Sequence, residues 1–385
     1  MKNLLLIIGF VLWAVLTAVG QDTAAHTPKL VFNGYLKDMQ TLSFNKDFSE
    51  LLTGNLLHNR INVKWKPTTR ISAVAEFRNR FIWGEEVKAT PGYVSFLRNE
   101  NEAVNLQKIW LQKPSMVLLT NIERLYLDYG NEQLNVRIGR QRINWGIATT
   151  WNPNDIFNSY NFLDFDYEER AGVDAGQFRY RLNNSSNIEL AYAYADQKNG
   201  NVAALKYSIN RWNYDIQLIT GWYHDQPTLG AGWAGNIKDA GFKGELQYYF
   251  SANDAPEQLN LVLQSDYMFQ KGWYLNLSIL YNNKGISQPI ENWNRLNLKI
   301  SPTNLMPVKW NIMVTSGKEL TPLLSANLIV LYSPGTNLLI LYPSFQYNMA
   351  ANLDLNLFWQ SFFAEIRNNF EAVNHQAFLR LKWSF

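Results

Sequence analysis

The chain has 385 residues, of which 14% are aromatic and only 17% are charged, and it contains no cysteine. The missing cysteines exclude disulfides and thiolate metal sites, and 35 basic against 32 acidic residues is too even a balance for a nucleic-acid partner. Large apolar residues alternate with polar ones instead of forming long runs, which is typical of a wall with lipid on one side and water on the other.

The first twenty residues predict a secretory signal peptide. Met1 and Lys2 give a short positive end, an apolar run covers residues 4–19, and Ala18-Val19-Gly20 supplies the small residues of a cleavage site. The alternative is a retained membrane anchor, but the run is shorter than the roughly 20 residues that a spanning helix needs. We therefore assign residues 1–20 to a signal peptide and residues 21–385 to one domain.

Alternation of apolar and polar residues recurs along the remaining chain and predicts about 18 β-strands. They are expected at 29–42, 54–66, 69–83, 119–129, 132–144, 171–182, 186–195, 201–210, 212–223, 229–236, 240–250, 257–268, 272–282, 308–317, 322–332, 336–347, 351–363 and 374–385. Every second connection is short, and the longest lie near 84–118, 145–170 and 283–307. Short periplasmic turns opposite longer extracellular loops are typical of transmembrane barrels.

We therefore predict an all-β fold, a single antiparallel transmembrane β-barrel in a bacterial outer membrane, in contact with its lipid and lipopolysaccharide. A secreted β-sandwich or propeller would also alternate. The sequence has no repeat of fixed period, as a propeller would need, and aromatic residues gather at strand ends, as membrane girdles require.

Three successive predicted strands place polar and charged side chains on one face. These residues are Glu76, Arg78, Arg80, Arg124, Tyr126, Asp128, Arg137 and Gln141. Guanidinium groups on the lumen side attract anions and stabilise carboxylate, phosphate or sulfate groups in passage, so we expect this set to line a pore. The alternative is a structural network in which the arginines pair with Glu76 and Asp128 and only make the wall rigid.

The alternation breaks at Arg140 and Arg142, which fall on the positions that otherwise face lipid. An arginine in the middle of the hydrocarbon layer costs about 2–4 kcal/mol, and far less near the interface. Either a bulge around Gly139 turns these side chains inward, or they already stand above the membrane.

The connection 145–170 differs from an ordinary surface loop because it contains seven aromatic residues, and five acids against one arginine. Aromatic residues at this density favour burial, and the acids would complement the neighbouring arginines. We predict that this loop folds into or over the lumen as a constriction or gate; the alternative is packing against neighbouring outer loops. The residues assigned to the constriction are Arg140, Arg142, Trp145, Trp151, Asn152, Asp155, Asp164 and Asp166.

Nothing in the sequence predicts catalysis. The four histidines, His26, His58, His224 and His375, are far apart and lack the spacing of a metal site. We therefore expect a protein that is not an enzyme and that has no metal and no cofactor.

Two segments carry a resemblance to a known group. Residues 137–146, RIGRQRINWG, and residues 151–158, WNPNDIFN, resemble porin-like outer-membrane barrels of Gram-negative bacteria and, more distantly, the alginate-export barrels. The strand at Gly34-Tyr35-Leu36 and the last strand, which ends at Phe385, fit the same group. A terminal Phe is also similar to the signal that the barrel assembly machinery recognises, which implies this machinery as a partner during insertion.

The resemblance to alginate-export barrels implies an 18-stranded barrel whose arginine-rich lumen conducts a polyanionic sugar chain. Together with the residue patterns, it leads us to expect a channel or export conduit for polar or anionic solutes, glycans among them. The alternative is a plugged barrel that serves as a scaffold or receptor for surface proteins or lipids.

Overall fold

The computed structural model describes residues 29–97, 102–159, 171–197, 200–253, 255–296 and 298–385, and 19 β-strands lie in them. The first ten are β1 Leu30–Asn45, β2 Leu51–Trp65, β3 Ile71–Gly84, β4 Gln107–Lys113, β5 Met116–Gly130, β6 Leu134–Gln141, β7 Val173–Asn183, β8 Ser186–Tyr194, β9 Val202–Arg211 and β10 Tyr214–Tyr223. The others are β11 Gln226–Ile237, β12 Ala240–Tyr249, β13 Gln258–Met268, β14 Trp273–Asn282, β15 Trp310–Thr321, β16 Leu324–Ser333, β17 Leu338–Ala350, β18 Leu353–Ile366 and β19 Asn369–Ser384. Helices α1 (Glu85–Ala89) and α2 (Tyr93–Phe96) and one turn of 3₁₀ helix (Trp293–Arg295) lie in the connections.

The strands form one antiparallel sheet that closes on itself, because β1 pairs with both β2 and β19. Eighteen strands make the closed wall, which confirms the predicted fold class. Closure leaves the wall without an open strand edge, as a sheet in lipid requires.

The two faces of the wall differ as the alternation predicts. Leu263 and Leu277 are exposed on the outside, whereas their neighbours Gln264 and Asn276 are buried on the inside. A closed barrel with an apolar outer belt spans a membrane, which confirms the predicted location in a bacterial outer membrane. Separately, no helix in the described part of the chain is long and apolar enough to cross a membrane.

The turns at one end of the barrel are all short. Five of them have two residues each, at 184–185, 212–213, 238–239, 322–323 and 351–352. Trp212 and Asn213 both have positive φ, as a type I′ hairpin turn requires. The long connections 85–115, 142–172 and 283–309 lie at the other end. The short-turn end is therefore periplasmic and the long-loop end extracellular, as the sequence predicts.

Strand β4 is an addition that the alternation does not predict. It pairs with the extracellular half of β5, whose periplasmic half pairs with β6 on the same edge. Most of its side chains are exposed, so it lacks the split between apolar and buried polar positions that marks the other strands.

Three connections pack apolar side chains against the inner wall of the barrel. Residues from 286 to 308 contact buried residues of β13 to β18, among them Leu280 and Met313. Residues of α1 and α2 pack on Leu56, Leu119 and Phe378, and residues 143–157 pack on β7 to β12. These connections therefore occupy much of the extracellular half of the lumen.

Candidate functional site

The predicted pore-lining residues of β3 and β5 lie on the inner face. Tyr126 and Asp128 alternate with Leu125 and Leu127, which are 47% and 63% exposed on the outer face. A register shift between Ile122 and Arg124 places both Glu123 and Arg124 in buried positions of the wall.

These residues differ in their access to solvent. Arg78, Arg80, Arg124 and Gln141 are buried, whereas Glu76, Tyr126, Asp128 and Arg137 are partly exposed. The amide of Gln141 donates to the carbonyl oxygen of Ala175 at 2.8 Å, which ties β6 to β7 within the wall. The set is thus partly a packed network and partly a solvent-accessible surface.

Several of the arginines have acidic or amide partners on the neighbouring strand. The closest nitrogen of Arg78 lies 3.5 Å from the Glu123 carboxylate, and Arg80 donates to the side-chain oxygen of Asn121 at 3.3 Å. Nε of Arg137 lies 2.9 Å from Asp128, and its guanidinium lies over the ring of Tyr126. These contacts hold the guanidinium groups in fixed positions along the inner wall.

The basic inner surface extends beyond the residues predicted from the sequence. Lys37 on β1 stands opposite Lys382 on β19, and Arg60 on β2 stands opposite Arg78. Together with Arg380 they extend the basic wall over five neighbouring strands, β19, β1, β2, β3 and β5. The same alternation of apolar and polar residues on β1, β2 and β19 is the sequence signal that places these side chains on the inner face.

Residues 143–158 run along the inner wall on the other side of the lumen. The carboxylate of Glu245, on the inner face of β12, accepts hydrogen bonds from the backbone N–H groups of Ile147 and Ala148, each at 2.6 Å. It also accepts from the backbone of Asn154 at 2.9 Å and from the side-chain amide of Asn152 at 3.1 Å. A fully buried acid, nearly 100 residues away in sequence, therefore anchors this segment.

Three of the predicted constriction residues shape the segment itself. Asp155 accepts hydrogen bonds from the backbone N–H groups of Trp145 and Gly146, closing a tight loop. The indole N–H of Trp145 donates to Glu189 at 3.0 Å, and Trp151 is buried against the apolar residues of the connection 283–309. The two connections therefore pack on each other inside the barrel.

The remaining constriction residues do not share this environment. Arg140 pairs in register with Leu125 and Asp174, on the outer side of the wall, and no register shift occurs at Gly139. It is covered by residues 102–104, and its guanidinium contacts Glu102 and Asp174. Arg142 is half-buried at the start of the connection. The assignments of Asp164 and Asp166 lie outside the described residues.

A polar cavity of about 970 Å³ opens below the segment 143–158, at the periplasmic ends of β6 to β10. Its lining includes Arg137, Arg179, Arg181 and Lys206, with Ile147 at the top. Glu189 lies between Arg179 and Lys206, 3.2 Å and 3.0 Å from their nitrogens. The cavity is therefore a charged vestibule beneath the infolded segment.

One titratable group stands at the extracellular mouth, outside the strands. Glu86, in α1, receives a hydrogen bond from the hydroxyl of Ser43 at 2.6 Å. Burial raises the pKa of this carboxyl, an effect that the Ser43 hydrogen bond partly opposes. Among the described residues, no group of three or more His, Asp or Glu side chains is placed to hold a metal ion.

No protein-family model matches the chain, and no curated protein is similar to it. Solved structures do match over nearly the whole length. OccAB4 of Acinetobacter baumannii is 9% identical, with a TM-score of 0.59 over 93% of this chain and 99% of that one. OpdK of Pseudomonas aeruginosa, solved with vanillate, is 10% identical, with a TM-score of 0.60 over 92% and 98%.

The outer membrane channel DcaP of Acinetobacter baumannii matches with a TM-score of 0.50 and 10% identity, over 92% of this chain and 97% of that one. The resemblance to alginate-export barrels stays a prediction. At identities this low, the matches establish a shared architecture, and the chain has the fold of porin-like outer-membrane barrels.

Proposed function

We propose that this protein is an outer-membrane channel for small polar and anionic solutes. The observation that carries the proposal is the basic inner wall, in which Lys37, Arg60, Arg78, Arg80 and Arg124 belong to neighbouring strands. Fixed cations along one side of a lumen favour anions over cations in passage. The vestibule, with Arg137 and Lys206, would receive the solute at the periplasmic end.

The infolded segment 143–158 supports a narrow passage over a wide one. It lies across the lumen from the arginines, and the connection 283–309 reinforces it from above. We therefore propose that the segment forms the constriction and that the solutes are short carboxylates or similar anions. A polymeric glycan, expected from the alginate-export resemblance, would need these connections to move aside.

The solute class is supported by geometry and by one neighbouring structure. A planar guanidinium binds a carboxylate through two parallel hydrogen bonds, and the rings of Tyr35 and Tyr126 lie beside inner-wall cations. OpdK was solved with vanillate, an aromatic carboxylate. Vanillate and benzoate are therefore suitable probes, with lactate as a small aliphatic comparison.

Planar-bilayer recordings test the proposal. We expect the wild-type protein to conduct and to show a reversal potential in a KCl gradient that indicates anion preference. The double variant Arg78→Ala/Arg80→Ala should lose most of that preference. Arg211→Ala is the matched control, because Arg211 is exposed at the periplasmic turn between β9 and β10, where its guanidinium lies over the exposed ring of Trp212. Unchanged selectivity in the Arg78/Arg80 variant would contradict the proposal.

The plugged barrel remains the second candidate, and the burial of Arg78, Arg80 and Arg124 favours it. The two candidate functions predict different bilayer conductance after the constriction is removed. If the lumen is a closed scaffold, bilayers containing the wild type stay silent, and those containing a variant without residues 147–158 stay silent too. A channel conducts in both forms, with larger currents in the deletion variant.

A further inference from the structure

The outer face of the barrel carries polar side chains on β1 and β2, among leucines that face lipid. Asp38 pairs in register with Leu57 on β2 and Leu381 on β19, and Asn59 pairs with Leu36. The three leucines are all exposed. Residues paired directly across antiparallel strands point to the same side, so Asp38 and Asn59 lie on the outside of the wall.

The same register extends this surface over β3 and β5. Asn79 pairs with Asn59 and with Thr120, and Gln40 pairs with Asn55. We name these side chains the outer polar patch: Asp38, Gln40, Asn55, Asn59, Asn79 and Thr120. Elsewhere on the described wall, most of the corresponding positions carry exposed apolar residues such as Leu205, Leu218 and Leu263, with single hydroxyl residues such as Thr220 between them.

The patch lies at the depth of the hydrocarbon layer. Asn59 stands six residues along β2 from Trp65, whose exposed ring marks the periplasmic end of the strand. With a rise of ~3.3 Å per residue and a tilt of ~40°, that distance is roughly 15 Å into an apolar band about 25 Å tall. Polar groups at this depth find no water to bind.

Hydrogen bonds within the wall use only part of the donors and acceptors of these side chains. The indole N–H of Trp110 donates to Thr120 at 2.9 Å, and the Thr120 hydroxyl donates to Asn79 at 2.7 Å. The amide of Asn79 donates to Asn59 at 3.1 Å, and that of Asn59 to the carbonyl oxygen of Tyr35 at 3.2 Å. Each amide has two donors and two acceptor positions, so about half of this capacity is left for a partner.

The two ends of the patch carry opposite charges. Asp38, at the β1 end, receives two contacts from the amide of Gln40, at 3.0 and 3.2 Å. Lys108, at the β4 end, is exposed and pairs in register with Thr120. An anionic lipid headgroup would be repelled by Asp38. A two-fold axis along the membrane normal would instead set the acidic end of each patch opposite the basic end of the other, with the asparagines meeting near the centre.

We propose that the outer polar patch is a self-association surface, through which two copies of this barrel pair about an axis normal to the membrane. The amides are both donors and acceptors, so identical patches complement each other. The proposal is independent of whether the lumen conducts.

Cysteine cross-linking in outer membranes tests the contact, because the chain has no cysteine of its own. Asn79→Cys should give a disulfide-linked product of twice the chain's mass on mild oxidation. Leu263→Cys, exposed on the far wall, is the matched control and should stay monomeric. A product with another protein, or no product from an assembled Asn79→Cys barrel, would overturn the proposal.

Charge exchange tests the pairing geometry in mild detergent, with sedimentation as the readout. Asp38→Lys and Lys108→Asp should each raise the dissociation constant of the dimer about tenfold. The double variant Asp38→Lys/Lys108→Asp should recover the dimer. Assembly of each variant is checked by the slower migration of the barrel after heating. Failure of the folded double variant to recover association contradicts the two-fold arrangement.

Discussion

A single buried carboxylate organises the proposed constriction. Glu245 accepts four hydrogen bonds from the segment 143–158, three of them from backbone N–H groups, and its own side chain is fully buried. A buried backbone N–H that loses its acceptor costs about 1–3 kcal/mol, so the three backbone donors that share this carboxyl make it a strong anchor for the segment.

We expect Glu245→Gln to loosen the segment without unfolding the barrel. The glutamine keeps one acceptor oxygen but turns an NH₂ group toward backbone donors, which should weaken docking by about 2–4 kcal/mol. Hydrogen exchange of residues 145–158 should therefore be at least tenfold faster. Asp266→Asn on the adjacent strand is the control, because Asp266 pairs with Lys243 and does not contact the segment. Equal exchange in the two variants would show that Glu245 is not the anchor.

At the scale of strands and loops, the sequence predicts the wall well and the loops poorly. Alternation locates eighteen strands because each wall strand faces lipid on one side and packed polar groups on the other. Strand β4 escapes detection because its side chains, such as Trp110, are exposed without that split. The aromatic content of 145–170 predicts burial, and in the described part of that connection Trp145, Trp151 and Phe157 are buried. It cannot indicate the anchor, because Glu245 becomes a neighbour only when the barrel closes.

The helix α1 should respond to pH through Glu86. Burial raises the pKa of this carboxyl in the docked loop above its value in an undocked one. The docked state therefore holds the proton more tightly, so its stability is full below the ordinary carboxyl pKa and falls as the pH rises through the docked-state pKa. We expect residues 85–97 to exchange more slowly at pH 5 than at pH 8, after correction for intrinsic rates.

Two variants assign that pH dependence. Glu86→Gln should remove it and should keep the loop docked at pH 8. Glu85→Gln, on the neighbouring residue beside Thr53, should retain the wild-type difference. If hydrogen exchange of residues 85–97 still depends on pH in Glu86→Gln, a different titratable group causes the dependence.

At the scale of the whole barrel, polar residues are distributed unevenly around the wall. Strands β1 to β3 carry cations inside, such as Lys37 and Arg78, and amides outside, such as Asn59 and Asn79. The opposite wall is apolar outside and holds the infolded segment inside. The proposed solute path and the proposed dimer surface therefore share the same strands and lie on opposite faces of them. Whether a side chain points inward or outward decides which of the two surfaces it belongs to.

Closure of this wall depends on the seam between β1 and β19, where Phe385 contacts β1. The backbone of Phe385 exchanges two hydrogen bonds with Gly34, at 2.9 and 3.0 Å, and its ring stacks on Phe32 across the seam. A side chain at position 34 would collide with the carbonyl oxygen of Arg60, so the glycine is what allows the strands to close here.

We expect Phe385→Ala to reduce the amount of assembled barrel in the outer membrane several-fold, because it removes the seam contact and the terminal aromatic residue that we propose the assembly machinery recognises. Heat-dependent migration on gels measures the assembled fraction. Phe370→Ala is the matched control, since Phe370 lies on the same strand, exposed beside the extracellular turn. If both variants assemble equally, the terminal residue has no special role. If Phe385→Ala inserts poorly in cells but refolds normally into detergent, recognition rather than seam packing is the cause.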